Sequence, residues 1–144
     1  VGLMCLCVFV NGDREEYERL KYSAQRLGAA FQKVNFLRDL KYDSQSLGRV
    51  YFPQLIDGEW NEKCKAEIEA DIRKDFDEAL IGIKQLPKSS RLGVFLAYKY
   101  YRCLLHKIAS RTPESVMNGR IRVSNRKKMQ IMLGSYTAFN LGRV

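Results

Sequence analysis

The residues best suited to do chemistry lie between Gln32 and Asp43. On an α-helix at about 100° per residue, Gln32, Asn35, Asp39 and Asp43 fall within a sector roughly 80° wide, and Ala24 and Gly28 continue the stripe toward the N-terminus. Leu20, Leu27, Ala30, Phe31, Val34 and Leu37 fill the adjoining sector, with Phe36 and Leu40 on the other flank, so the polar groups sit inside an otherwise apolar helix. Carboxylates one turn apart repel unless a cation lies between them. Asp39, Asp43 and the amide oxygens of Asn35 and Gln32 are hard oxygen ligands, and a D-x-x-x-D pair suits Mg²⁺, which takes one or two carboxylates plus water and substrate phosphate oxygens. The same pair would also serve as a solvated acidic edge beside Arg38 and Lys41. The embedded Gln and Asn weigh toward the metal.

The run Arg26-Leu27-Gly28-Ala29-Ala30-Phe31-Gln32-Lys33-Val34-Asn35-Phe36-Leu37-Arg38-Asp39, continued by Asp43 and by Gly48-Arg49-Val50-Tyr51-Phe52-Pro53, resembles the second aspartate-rich region of the phytoene and squalene synthase family. Val1-Gly2-Leu3-Met4 resembles the active-site helix that precedes that region. Asp71-Ile72 to Phe76, Ala79-Leu80 to Leu86-Pro87, and Arg120-Ile121-Arg122-Val123-Ser124 read like the later part of a bacterial phytoene synthase. The resemblance implies an all-α chain, the C-terminal part of the isoprenoid synthase helical bundle, forming one helical domain over 1–144. It implies Mg²⁺, or Mn²⁺ in its place, on Asp39, Asp43 and Asn35, with Gln32 holding diphosphate or a bound water. Arg38, Arg49, Tyr51, Arg120 and Lys128 would meet the diphosphate, and Val1, Gly2, Ala24, Gly28 and Phe31 would form dry walls for the prenyl tails. The family's first aspartate-rich motif has no counterpart here. The expectation is therefore a fragment of a larger synthase, unable to complete turnover alone and prone to self-association through exposed apolar faces.

The reaction so implied joins two prenyl diphosphates head to head through a cyclopropylcarbinyl diphosphate. Two geranylgeranyl diphosphates would give phytoene; the alternative is a squalene or dehydrosqualene synthase using farnesyl diphosphate. A non-catalytic relative serving as an assembly or scaffold protein is a reading of another class, against which the intact Gln32, Asn35, Asp39 and Asp43 set argues. A basic nucleic-acid-binding module is a third, suggested by Arg120 to Lys128, but no helix-turn-helix or aromatic sheet accompanies the charge and no nucleic-acid partner is expected.

Composition sets the frame for these readings. At 144 residues and 46% hydrophobic, the chain can bury a core, and its net charge of +9 calls for anionic partners such as diphosphates or lipid headgroups. Cys5, Cys7, Cys64 and Cys103 make no C-x-x-C pair and read as small buried hydrophobes in a reducing, cytoplasmic setting. His106, the only histidine, lies in an apolar stretch and suits packing better than acid–base work. No segment has the ~18 uninterrupted apolar residues that would span a bilayer. Peripheral contact of the basic tail with an inner membrane surface is the remaining membrane expectation.

The elements that must position these groups follow from caps and breaks. Val1 to Val10 is an apolar run that Asn11-Gly12 ends; Asp13 caps a long helix expected to reach about Tyr42. Gly28 inside it costs ~1 kcal/mol relative to Ala, which room for a ligand or close approach of a second helix would justify equally. Asp43 to Gly58 is a connector. Asn61 caps a third helix to about Gln85, whose acidic residues read as a solvated face. Ser89 or Ser90 is expected to cap a fourth, running to about Ser110 with Tyr98, Tyr100 and Tyr101 as an aromatic cluster that would stabilise carbocations, orient phosphate or simply pack. Thr112-Pro113 starts a short helix that Asn118-Gly119 stops, and Ser124 caps the last.

Overall fold

The computed structural model describes residues 2–46 and 60–144, with side chains described for 2–40 and 60–144. Its order is α1 (Gly2–Phe9), α2 (Arg14–Ser46), α3 (Glu62–Ile83), α4 (Lys88–Ala109), α5 (Pro113–Asn118) and α6 (Asn125–Asn140), with no strand among the described residues. The architecture is all-α, as the periodicity requires.

The helix starts obey the capping chemistry at four places. Asp13 Oδ1 accepts from the amides of Glu15 and Glu16, Asn61 from Cys64, Thr112 from Ser115 and Ser124 from Lys127. The α1–α2 corner needs a left-handed turn, which Asn11 (φ 52°) and Gly12 (φ 75°) supply at little steric cost. At α4 the expectation fails. The helix begins one residue after Pro87 with no side-chain cap, and Ser90 Oγ donates instead to the Pro87 carbonyl. Proline sets the extended entry itself. Helix α2 also runs past Tyr42 to Ser46.

Helix α2 is the central element, packing most extensively on α3 and also on α1, α4 and α5. Its apolar sector enters the core as expected: Ala30, Val34 and Leu37 are fully buried against Ile68, Ile72 and Phe76 of α3 and Leu104, Leu105 and Ile108 of α4. A second cluster of Leu6, Val10, Leu20 and Leu86, flanked by Phe9 and Val94, closes the other end of the fold. The α2–α3 crossing is tightest at Gly82, where an added Cβ would lie 2.4 Å from Ser23 Cβ.

Two expectations are corrected by burial. The acidic residues of α3 are not all solvated: Asp75 is buried between Lys33 Nζ at 2.6 Å and Arg26 Nη1 at 3.2 Å. Glu69 is buried too, its Oε1 2.8 Å from Lys65 Nζ as an ion pair without hydrogen-bonding alignment. Each buried carboxylate has a cation within reach, the condition under which burial is tolerated. The cysteines are mixed as well. Cys64 is buried and Cys103 partly so, whereas Cys5 and Cys7 are exposed because α1 packs on α2 by one side only. His106 is exposed on α4.

Candidate active site

A cavity of about 980 Å³ lies among α1, α2, α3 and α4. Six of the sequence-predicted residues line it: Gly2 from α1, and Ala24, Gly28, Phe31, Gln32 and Asn35 from one face of α2. The polar stripe and the tail-wall residues thus form a single surface, polar toward Asn35 and apolar toward Leu20. At the far end the second apolar cluster forms the floor, with Leu6, Phe9, Leu20 and Leu86 all on the lining.

Gly28 and Gly2 behave differently from Gly82, which is also on the lining. A Cβ on Gly28 would meet nothing within 4 Å, so close helix packing does not explain this glycine and its bare Cα opens onto the cavity. A Cβ on Gly2 would make only ordinary contact, 3.5 Å from the Ala24 carbonyl oxygen. Helix α4 contributes Tyr101 of the expected aromatic cluster and, beside it, Gly93 and Ala97, which the sequence reading did not single out. Gly93, Ala97 and Tyr101 recur every four residues and present a face of small residues ending in an aromatic ring. That spacing was available as a signal. The Tyr101 ring stacks on Phe31 at 4.1 Å between centroids and 20° between planes.

At the polar end, Asn35 Oδ1 is buried with no hydrogen-bond partner among the described residues. Such an orphaned acceptor is costly unless a cation, donor or water meets it. One turn on, Asp39 is held by two guanidinium groups: Arg38 donates from Nε and Nη2 to both carboxylate oxygens, and Arg120 Nε lies 3.0 Å from Oδ1. The hydrogen bond to Asp39 pushes the Arg38 guanidinium pKa up against the opposing effect of burial, with Tyr101 and Tyr100 adding to the rise. Arg120 therefore joins the site from the segment ahead of α6. Arg38, Asp39 and Arg120 lie beyond the cavity lining, Arg120 on a separate smaller pocket with Lys107, Arg111 and Arg122; Lys128 is exposed on the first turn of α6 and is also off the lining. Asp43 lies in the last part of α2, but its side chain is outside the described residues, as are Val1, Arg49 and Tyr51 altogether.

The donor set fits a hard divalent cation in type. Asn35 offers a buried, unpartnered amide oxygen, and Asp39 a carboxylate one helical turn away. Among the described residues no group of three His, Cys, Asp or Glu side chains gathers into a metal cluster, here or elsewhere.

This arrangement agrees with comparison to known proteins. The profile described as Squalene/phytoene synthase matches residues 1–127. The chain belongs to that family. It is 32% identical over 146 aligned positions to phytoene synthase 1, chloroplastic, of Solanum lycopersicum, covering 90% of this chain and 35% of that protein. Phytoene synthase 2, chloroplastic, of the same plant is also 32% identical, over 90% of this chain and 46% of its own length. The bifunctional lycopene cyclase/phytoene synthase of Blakeslea trispora is 34% identical over 86 positions, 58% of this chain and 14% of that one. The chain spans less than half the length of these relatives. No solved structure gives a significant match.

Proposed function

We propose that this chain carries the second metal-binding motif and the tail groove of a head-to-head prenyl synthase that condenses two geranylgeranyl diphosphates to phytoene, a step of carotenoid formation. The observation that carries the reading is Asn35 Oδ1, buried with no partner among the described residues, on the lining of a mainly apolar cavity of about 980 Å³. Asp39, Asn35 and Asp43 would hold Mg²⁺, or Mn²⁺ in its place, and the bound ion would supply neutralising charge for a departing diphosphate. Arg38 and Arg120 add fixed positive charge at the same point, where a phosphate oxygen can share the guanidinium donors now turned to Asp39. Gln32, also on the lining, would hold diphosphate or water. The apolar walls keep water from a reacting allylic cation, which would otherwise be trapped as an alcohol.

Groove length supports the C20 substrate. Lining residues extend along α2 from Asn35 to Leu20, about 22 Å at 1.5 Å per residue. An extended chain advances roughly 1.2 Å per bond, so the sixteen-carbon backbone of a geranylgeranyl tail reaches ~19 Å and the twelve-carbon farnesyl backbone ~14 Å. On this measure the longer tail would end about 3 Å from Leu20 and the shorter one about 8 Å from it, roughly one and a half turns short.

The test has two parts. Titration of this chain with geranylgeranyl and farnesyl diphosphates, with and without Mg²⁺, should give Mg²⁺-dependent binding that favours the longer tail and weakens at least tenfold in Asp39→Ala. Product analysis in a longer protein carrying this chain should give a C40 product from the first substrate, reduced at least a hundredfold in the same variant. Equal binding without Mg²⁺, together with unchanged turnover in Asp39→Ala, would remove Asp39 from the site; no turnover of either substrate by the folded longer protein would leave the scaffold reading in possession.

A further inference from the structure

A second concavity, of about 390 Å³, lies where the end of α4, helix α5 and the segment ahead of α6 meet. Two local patterns fill it with cations. Between α5 and α6 the chain is not helical, and Ile121 and Val123 are buried at 7% and 5%, so the alternation turns Arg120 and Arg122 outward together. Lys107 and Arg111 stand four residues apart at the end of α4, where the turning continues as the Arg111 amide donates to the Ile108 carbonyl. All four side chains line the concavity, along with Ser115 and Asn118.

The charge gathered there is not balanced within the described residues. Lys107 Nζ donates to the Arg122 carbonyl at 2.6 Å, which ties the segment to α4 without neutralising either cation. Arg111 Nη1 meets the Ser115 hydroxyl at 3.4 Å. Of the four, only Arg120 has a carboxylate partner among the described residues, Asp39. Beyond Glu78 the sequence carries a single acidic residue, Glu114, and it is absent from the lining. Its own amide and the Thr112 hydroxyl engage the Glu114 carboxylate at the start of α5 and hold its pKa below the usual value. Cations brought this close repel one another, and a bound anion removes the repulsion. Guanidinium forks beside an ammonium match phosphate oxygens in geometry as well as charge. The volume falls at the small end of ligand sites, and the lining has no aromatic ring on which a base could stack. Both features favour a small free anion over a nucleotide or a nucleic-acid strand.

We infer that Lys107, Arg111 and Arg122, with Arg120 at their edge, form a second anion site that takes free diphosphate without a metal ion, apart from the Asn35–Asp39 end of the large cavity. The inference does not need the proposed reaction. Arg120 links the two places: an anion that draws it in releases Asp39, and the coupling is reciprocal. Calorimetric titration with inorganic diphosphate in EDTA, where no divalent cation contributes, tests it. One binding event is expected, weakened at least tenfold in Arg111→Gln/Arg122→Gln and kept or strengthened in Asp39→Ala, which frees Arg120. Mg²⁺-dependent binding of geranylgeranyl diphosphate should persist in the double variant, so failure here and failure of the metal site are told apart. Arg111 and Arg122 are exposed, so helicity and melting temperature should not move. ADP should bind no more tightly than free diphosphate. Absence of binding in EDTA, binding that survives the double variant, or sulfate binding as tightly as diphosphate would overturn the inference. So would ADP binding at least tenfold more tightly, which would make the site a nucleotide pocket, or a single-stranded oligonucleotide that displaces diphosphate, which would make it a nucleic-acid surface.

Discussion

Arg120 Nε lies 3.0 Å from Oδ1 of Asp39, joining the segment ahead of α6 to the functional stripe of α2. The Arg120 side chain is 54% exposed, so the pair adds little to folding. Its value lies in placing a cation where a phosphate oxygen would sit. Arg120→Gln is expected to shift the melting temperature by less than about 3 °C while weakening Mg²⁺-dependent binding of inorganic diphosphate about tenfold. Calorimetric titration and a thermal scan check both; unchanged diphosphate affinity would remove Arg120 from the site.

Two glycines should respond in opposite directions. An added Cβ at Gly28 meets nothing within 4 Å, so Gly28→Ala should stabilise the chain by about 0.5–1 kcal/mol through helix propensity alone. At Gly82 the same methyl would lie 2.4 Å from Ser23 Cβ, and Ser23 is fixed on α2 with its hydroxyl donating to the Glu78 carbonyl. The helices must separate, at a cost of roughly 1–3 kcal/mol. Denaturant unfolding of the two variants decides this, and a stabilised Gly82→Ala would mean that the crossing is looser than described. Gly28→Leu should instead leave folding intact and fill the groove, removing prenyl diphosphate binding.

How far these features were legible depends on whether the cause is local. The caps at Asn61, Thr112 and Ser124 and the apolar sector of α2 follow from side chains acting on their own helix, and they stand where the sequence puts them. Gly28 was ambiguous because its neighbours in space, not in sequence, decide whether a missing side chain means contact or room. Asp75 and Glu69 were misjudged for a similar reason. Interleaved charges on α3 look solvated until α2 delivers Lys33 and Arg26 across the crossing, and Lys65 turns inward to reach both Glu69 and the Ala109 carbonyl. On α4 the aromatic cluster was legible and Tyr101 of it faces the cavity, but the small residues Gly93 and Ala97 at the same four-residue spacing were masked by the stronger apolar pattern of that helix.

Lys33 makes the α2–α3 lock sensitive to alkali. Burial would lower its pKa, but hydrogen bonds to Asp71 and Asp75 outweigh that and raise it above the ordinary 10.5. A raised folded-state pKa means stability that is fully present below the unfolded value and lost as pH climbs through the folded one. The wild-type chain should therefore lose stability from just above pH 10.5, and Lys33→Met should lose less over that range. At neutral pH the same substitution is expected to cost about 1–3 kcal/mol, because Asp75 stays buried with Arg26 as its remaining partner. Urea midpoints between pH 8 and pH 11.5 test this; parallel curves for the two proteins would refute it.

The Phe31–Tyr101 stack makes the sharpest test of the proposed chemistry. Tyr101 lines the cavity with its ring 4.1 Å from that of Phe31, on the same lining as Gln32 and Asn35. A ring face in that position can stabilise a passing allylic cation by about 1–2 kcal/mol when water is excluded. Its hydroxyl, by contrast, could only orient phosphate. Tyr101→Phe keeps the face and removes the hydroxyl, whereas Tyr101→Leu keeps an apolar wall and removes the face. If the face acts on the cation, Tyr101→Leu should lower kcat about tenfold with a smaller change in KM and raise the share of prenyl alcohol in the product, while Tyr101→Phe behaves like the wild type. If Tyr101→Phe instead carries the whole loss and appears mainly in KM, the hydroxyl binds diphosphate and the cation role is wrong.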